Sequence, residues 1–163
     1  MIRNFQWVGI FAMLGLLFCT GCFQSELMLG EEVVVERQSR KVPKWVLVPL
    51  KKDRKYYYFV GQDKSQDQDP KFAYQMALAS VSAFASTKVT ALYEKSQDEG
   101  QIQIRDTNKK SVIKTFSESL LSGVIHQRTY WEKVNKLTPT GVVSYYRMYV
   151  LVAVPKELVD SVE

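Results

Sequence analysis

The stretch from 70 to 95 is rich in alanine, with Ala73, Ala77, Ala79, Ala83, Ala85 and Ala91. Alanine is the best helix former. Ala73, Ala77, Val81, Phe84, Lys88 and Leu92 recur at three- and four-residue intervals, the repeat of one helix face. Asp69 and Pro70 supply an N-cap and a first helical residue just ahead of it. Apolar side chains cover well over half of this helix's circumference. It is therefore expected to bury more than one side, against a core or against both a core and another subunit. Core packing is the simpler of the two.

The other segments supply what such a helix packs against. Residues 56–60, Tyr56-Tyr57-Tyr58-Phe59-Val60, read as a strand that Gly61 ends. Residues 62–70 read as a polar loop; Asp63, Ser65 and Asp67 have the spacing of a calcium loop, but Gln68 and Tyr74 occupy its glycine and glutamate positions, which excludes it. A brief alternation at 101–104 suggests a short strand. A second helix is expected over 108–122, with Val112, Phe116 and Leu120 as its stripe and Gly123 as its stop. Strands follow at 124–134 and 142–154, separated by the turn Thr138-Pro139-Thr140-Gly141. In the last strand Tyr146, Met148, Val150, Val152 and Val154 share one face, while Tyr145, Arg147, Tyr149 and Leu151 share the other. Residues 43–49, bracketed by prolines, read as a lead-in strand. The fold class expected from this order is α+β: a small, mainly antiparallel sheet with one long Ala-rich helix and a second helix packed on one face.

The N-terminal segment addresses location. Arg3 precedes an uncharged apolar run over 7–18, and Thr20-Gly21 leads to Cys22. This is the three-part layout of a secretory signal, and it resembles a bacterial lipoprotein signal, in which the cysteine is acylated and becomes the new N-terminus. Cys19 departs from that motif, which has an aliphatic residue there. An uncleaved anchor competes, since residues 4–25 carry no charge. The expected organisation is a signal at 1–21, a tether at 22–42 and one domain at 43–163. Within the tether, Val33-Val34-Val35 is either an edge strand or an apolar point. Phe23 is not acidic, which favours the outer membrane where the lipoprotein sorting rule applies.

Charge and composition exclude several function classes. The net charge of +5, with 22 basic and 17 acidic residues, is too mild for a nucleic-acid partner. Arg40-Lys41, Lys51-Lys52 and Lys109-Lys110 are read first as solvation, with attraction to anionic lipid or wall polymer as the sharper alternative. Both cysteines lie at the signal and the single histidine, His126, sits in an expected strand, so no metal site, cofactor or thiol chemistry is indicated. Glu94, Asp98, Glu99 and Glu118 have no spacing that demands a catalytic pair. The expectation is a non-enzyme. Exposed rings and one cation, namely Tyr56, Tyr58, Tyr145, Arg147 and Tyr149, form the candidate interaction surface.

In order along the chain stand Pro43 and Trp45, then Val60-Gly61, Ala73-x-x-x-Ala77 and Ser117-Glu118-Ser119, then Trp131, Tyr145-Tyr146 and the run 150–155. This succession, over about 43–156 and together with Cys22, resembles the twenty-kilodalton bacterial lipoprotein antigen family, whose relatives include flagellum-associated outer-membrane lipoproteins. The resemblance implies an envelope lipoprotein with a small α+β domain that often self-associates, without catalytic residues to carry over. The expected function is a lipid-anchored cell-envelope protein with a structural or assembly role, as a homo-oligomer or in a larger complex. The alternative is a module that grips wall glycan or a partner protein through its tyrosines.

Overall fold

The computed structural model describes residues 28–48, 51–98 and 106–161. Four antiparallel strands, β1 (Glu32–Arg37), β2 (Tyr56–Ser65), β3 (Ile125–Thr138) and β4 (Gly141–Pro155), form one sheet in the order β1-β3-β4-β2. The helices are α1 (Lys44–Leu47), α2 (Lys71–Asp98), α3 (Asp106–Ser122) and α4 (Lys156–Asp160). The α+β class is as expected, with the long and the second helix on one face of the sheet.

Helix α2 starts where Asp69 accepts a 2.9 Å hydrogen bond from the Lys71 backbone N–H. Its inward face is Ala73, Ala77, Val81, Ala85 and Val89, all fully buried. They meet Met148, Val150, Val152 and Val154 of β4, together with Tyr57 and Phe59 of β2. Phe116 and Leu120 of α3 and Val159 of α4 complete this core. Phe84 interlocks with β2, its ring 5.3 Å from that of Tyr57 and 5.4 Å from that of Phe59. Lys88 leaves this face by donating to the Val159 carbonyl at 2.8 Å.

Gly61 does not end β2. The strand continues to Ser65, so part of the expected 62–70 loop is strand, and Gly61 sits mid-strand beneath α2. A Cβ there would collide with the Ala73 carbonyl oxygen and the Ala77 backbone nitrogen. Glycine is needed for close approach of helix to strand rather than for a turn.

Within the lead-in expected at 43–49, residues 44–47 form the helical turn α1, not a strand. Pro43 stands at its N-cap, where a missing N–H costs nothing. The Val46 and Val48 N–H groups close the turn on the Pro43 and Lys44 carbonyls at 3.0 and 2.8 Å. Trp45 decides the matter: it is buried against Tyr130 and Leu151 on the sheet face opposite α2, and one helical turn delivers it there despite the β-prone sequence. The Val33–Val35 triplet lies in β1, which pairs with β3 as an outer strand, Val34 opposite Val134. The sheet thus begins inside the stretch read as a tether. β3 and β4 are both longer than expected and meet in a tight turn at Pro139 and Thr140. Gly141 has φ +125°, and Thr138 Oγ1 donates to the Gly141 carbonyl at 2.7 Å. The short strand expected at 101–104, Cys22 and the whole N-terminal signal fall outside the described residues.

Gly61→Ala is expected to destabilise the domain by at least about 1–3 kcal/mol, the cost of overpacking a filled core. Denaturant unfolding monitored by circular dichroism measures it. An unchanged midpoint would show that α2 and β2 can separate without penalty.

Candidate functional site

Strand alternation turns Tyr56, Tyr58, Val60, Gln62 and Lys64 of β2 away from α2 and α3. Tyr145, Arg147, Tyr149 and Leu151 of β4 face the same way. All five residues of the expected interaction surface therefore share one face, opposite α2. The structure divides them into two groups.

Tyr58 and Tyr149 join the apolar cluster around Trp45, Tyr130 and Leu151, along with Val42, Val46 and Val60. The Tyr130 and Tyr149 rings lie 6.0 Å apart, and those of Tyr56 and Tyr58 6.2 Å apart. Tyr58 donates its hydroxyl to Asp53 Oδ2 at 2.8 Å, a bond that raises the phenol's pKa. Asp53 is held below the usual carboxylate range by the Lys55 N–H, the Tyr58 hydroxyl and the Tyr56 N–H. Burial pushes the Tyr149 phenol up, against the pull of Arg147. Tyr130, which sequence reasoning did not single out, is pushed up to about 12 by burial and then by the Glu132 carboxylate.

Tyr145 and Arg147 belong to a charged row that crosses all four strands. Lys64 of β2 opposes Arg147 of β4, which opposes Glu132 of β3, which opposes Arg37 of β1. Arg147 Nη1 donates to Glu132 Oε2 at 3.3 Å and Nη2 to Glu32 Oε2 at 2.8 Å. Glu132, 7% exposed, also accepts from Arg37 Nε at 3.2 Å and from the Tyr130 hydroxyl at 3.2 Å. Lys64 Nζ donates to Glu32 Oε1 at 3.0 Å, and Lys136 stands 3.8 Å from the same oxygen. Glu32 and Lys64 lie on the two edge strands, so their contact means that the sheet curls here over the face opposite α2. Tyr145 is enclosed by that curl, and Lys64 Nζ stands 5.1 Å from its ring centre. Its buried hydroxyl is near enough to bias the neighbouring charges, in a geometry that completes no hydrogen bond. The Lys64 hydrogen bond, helped by Tyr145 and opposed by desolvation, lowers the Glu32 carboxyl to about 2.

Glu32, Arg37, Lys64 and Glu132 were not among the expected site residues. One signal for the Glu132–Arg147 pair was present: each lies six residues from the pair Thr138–Gly141 that closes the turn. Extending a two-residue hairpin from that turn puts them opposite each other. No comparable signal links Glu32 or Lys64 to Arg147, because both contacts come from strands brought in by long connections.

The arrangement offers little to a reacting group. Arg147 is 20% exposed and already engaged by two carboxylates. His126 Nε2 is 2.9 Å from Thr129 Oγ1, and its ring meets Tyr74 edge-on. Glu118 sits 4.0 Å from Lys114, on α3 and away from the charged row. Among the described residues no group of three His, Cys, Asp or Glu side chains is placed to hold a metal ion. Comparison with protein-family models, with characterised proteins and with solved structures returns no match.

Because the Glu32 carboxyl is lowered from 4.5 to about 2, its stabilisation is full above the unfolded value and is lost as pH falls between those two limits. Glu32→Gln is expected to flatten the acid limb of the stability profile, read as urea midpoints from pH 6 down to about 2. Arg147→Leu leaves the nearly buried Glu132 with one cation fewer and is expected to cost about 2–4 kcal/mol at neutral pH.

Proposed function

We propose that this chain is a lipid-anchored bacterial cell-envelope protein whose domain serves assembly rather than catalysis. Cys22, at the close of a signal-like segment, provides the anchor, and the resemblance to the lipoprotein antigen family belongs to the same reading. The observation that carries the assembly role is the outward side of α2. Phe72 and Met76, one turn apart, are 59% and 53% exposed, and Ala79 and Ala83 continue the stripe as exposed small residues. This is the second apolar side expected of an over-wide helix. It favours contact with another copy or with a neighbouring envelope protein.

The glycan- or peptide-gripping alternative has less support. Tyr145 and Arg147 are occupied within the charged row, and Tyr58 and Tyr149 are packed beside Trp45. Only part of each ring remains for a ligand.

Two measurements test the proposal. Fatty-acid labelling of wild type should be lost in Cys22→Ala; equal labelling would remove the anchor assignment. The full chain, purified in mild detergent and weighed by sedimentation, is expected to be oligomeric. Phe72→Glu with Met76→Lys should shift it towards monomer without changing the thermal midpoint, since both side chains are exposed. A wild-type monomer at high concentration would count against assembly of copies.

A further inference from the structure

One corner of the domain, at α1 and the start of β2, combines charge and exposed apolar surface in a way that the charged row does not explain. Between 40 and 55 the sequence carries seven basic side chains (Arg40, Lys41, Lys44, Lys51, Lys52, Arg54 and Lys55) and one acidic, Asp53, an excess of six positive charges. All seven are exposed. The fold gathers Lys51, Lys52, Arg54 and Lys55 around the start of β2, with Lys156, Glu157 and Asp160 beside Arg54 and Lys55, whereas Arg40 lies beside Val34, Val35 and Arg37 of β1. Trp45 seats α1 in the cluster that includes Tyr58. Residues 51–53 lie along the outer edge of the same strand, where the Tyr58 N–H donates to the Lys51 carbonyl at 3.0 Å and Lys52 bridges to Tyr57.

Amid these cations α1 turns Leu47 outward, and Val48 follows; they are 67% and 74% exposed. A soluble acidic polymer would use the cations and leave two aliphatic side chains in water. A bilayer with anionic lipid uses both, because headgroups attract the lysines and the headgroup–acyl boundary accepts the aliphatic tip. No described helix is long and apolar enough to cross a membrane; the inferred contact is a surface insertion of Leu47 and Val48. The Gly30 N–H bonds to the Leu137 carbonyl, which puts Gly30 at the opposite end of the β3–β4 hairpin from this corner.

We infer that the corner formed by α1 and residues 51–55 docks on an anionic bilayer, with Leu47 and Val48 at the headgroup–acyl boundary. The side of the sheet that carries α1 then faces the lipid, and the outward stripe of α2 faces away from it. This deepens the proposed membrane tethering and rests on it.

The test uses the full chain in vesicles of phosphatidylcholine, with or without about one-third phosphatidylglycerol. A fluorescent amino acid is placed by codon suppression at position 48, or at position 83 as a control, and brominated phospholipid is the quencher. Co-sedimentation reports tethering, and quenching reports docking. The expected result is sedimentation with both lipids but quenching at position 48 only with anionic lipid. Position 83 stays unquenched, and high salt reverses the effect. Replacing Lys44, Lys51, Lys52 and Lys55 by Gln should lower the docking equilibrium by about two to three orders of magnitude while the chain still sediments. Unquenched position 48 in anionic vesicles that carry the chain overturns docking and leaves tethering intact. Failure to sediment with neutral vesicles overturns tethering instead. Equal quenching with both lipids, or in the lysine variant, overturns the electrostatic attachment. Binding of a soluble polyanion at the corner without lipid quenching would assign it to a polymer.

Discussion

The contact on which the domain depends is the approach of α2 to β2 at Gly61, close enough that backbone faces backbone. Ala73 and Ala77 on the helix and the missing Cβ on the strand are two halves of one condition. A larger side chain on either would lift α2 and open the row of Val150, Val152 and Val154 beneath it. Phe84 fills the space further along, where the helix has moved far enough from the sheet to admit a ring between Tyr57 and Phe59.

With one face sealed this way, every polar residue that alternates with the core strands must be accommodated on the other. Burying charges is tolerable only where partners are complete, and the row Lys64–Arg147–Glu132–Arg37 supplies them across four strands. The order β1-β3-β4-β2 leaves β1 and β2 as edges, and curling brings Glu32 of one to Lys64 of the other. The same curl shelters Tyr145, while Trp45 and Tyr130 close the neighbouring part of the face with apolar area.

The periodicity of 3.6 and of 2 made the helices and the two long strands legible, because α2, β3 and β4 are amphipathic over many residues. Val150, Val152 and Val154 could be assigned to the core from alternation alone. Local rules failed where a distant partner decided the outcome. Nothing near Gly61 announces a helix crossing it, and nothing near Trp45 announces Tyr130 and Leu151. For the candidate site, alternation correctly placed Tyr145, Arg147 and Tyr149 together. Their availability was misjudged, because Glu32 and Lys64 arrive from strands whose sequence positions give no hint of the meeting.

The clamp on Glu32 has a mechanical side. Glu32 is the first residue of β1, just after Gly30 and Glu31 bond to Leu137, so tension along the preceding chain reaches the sheet close to it. An edge strand held by its ladder alone would peel from its end one hydrogen bond at a time. Arg147 and Lys64 tie that first residue to β4 and to the far edge, β2. A pull from the N-terminal side of β1 is therefore shared by three strands at once, and that edge is fastened close to where unzipping would start.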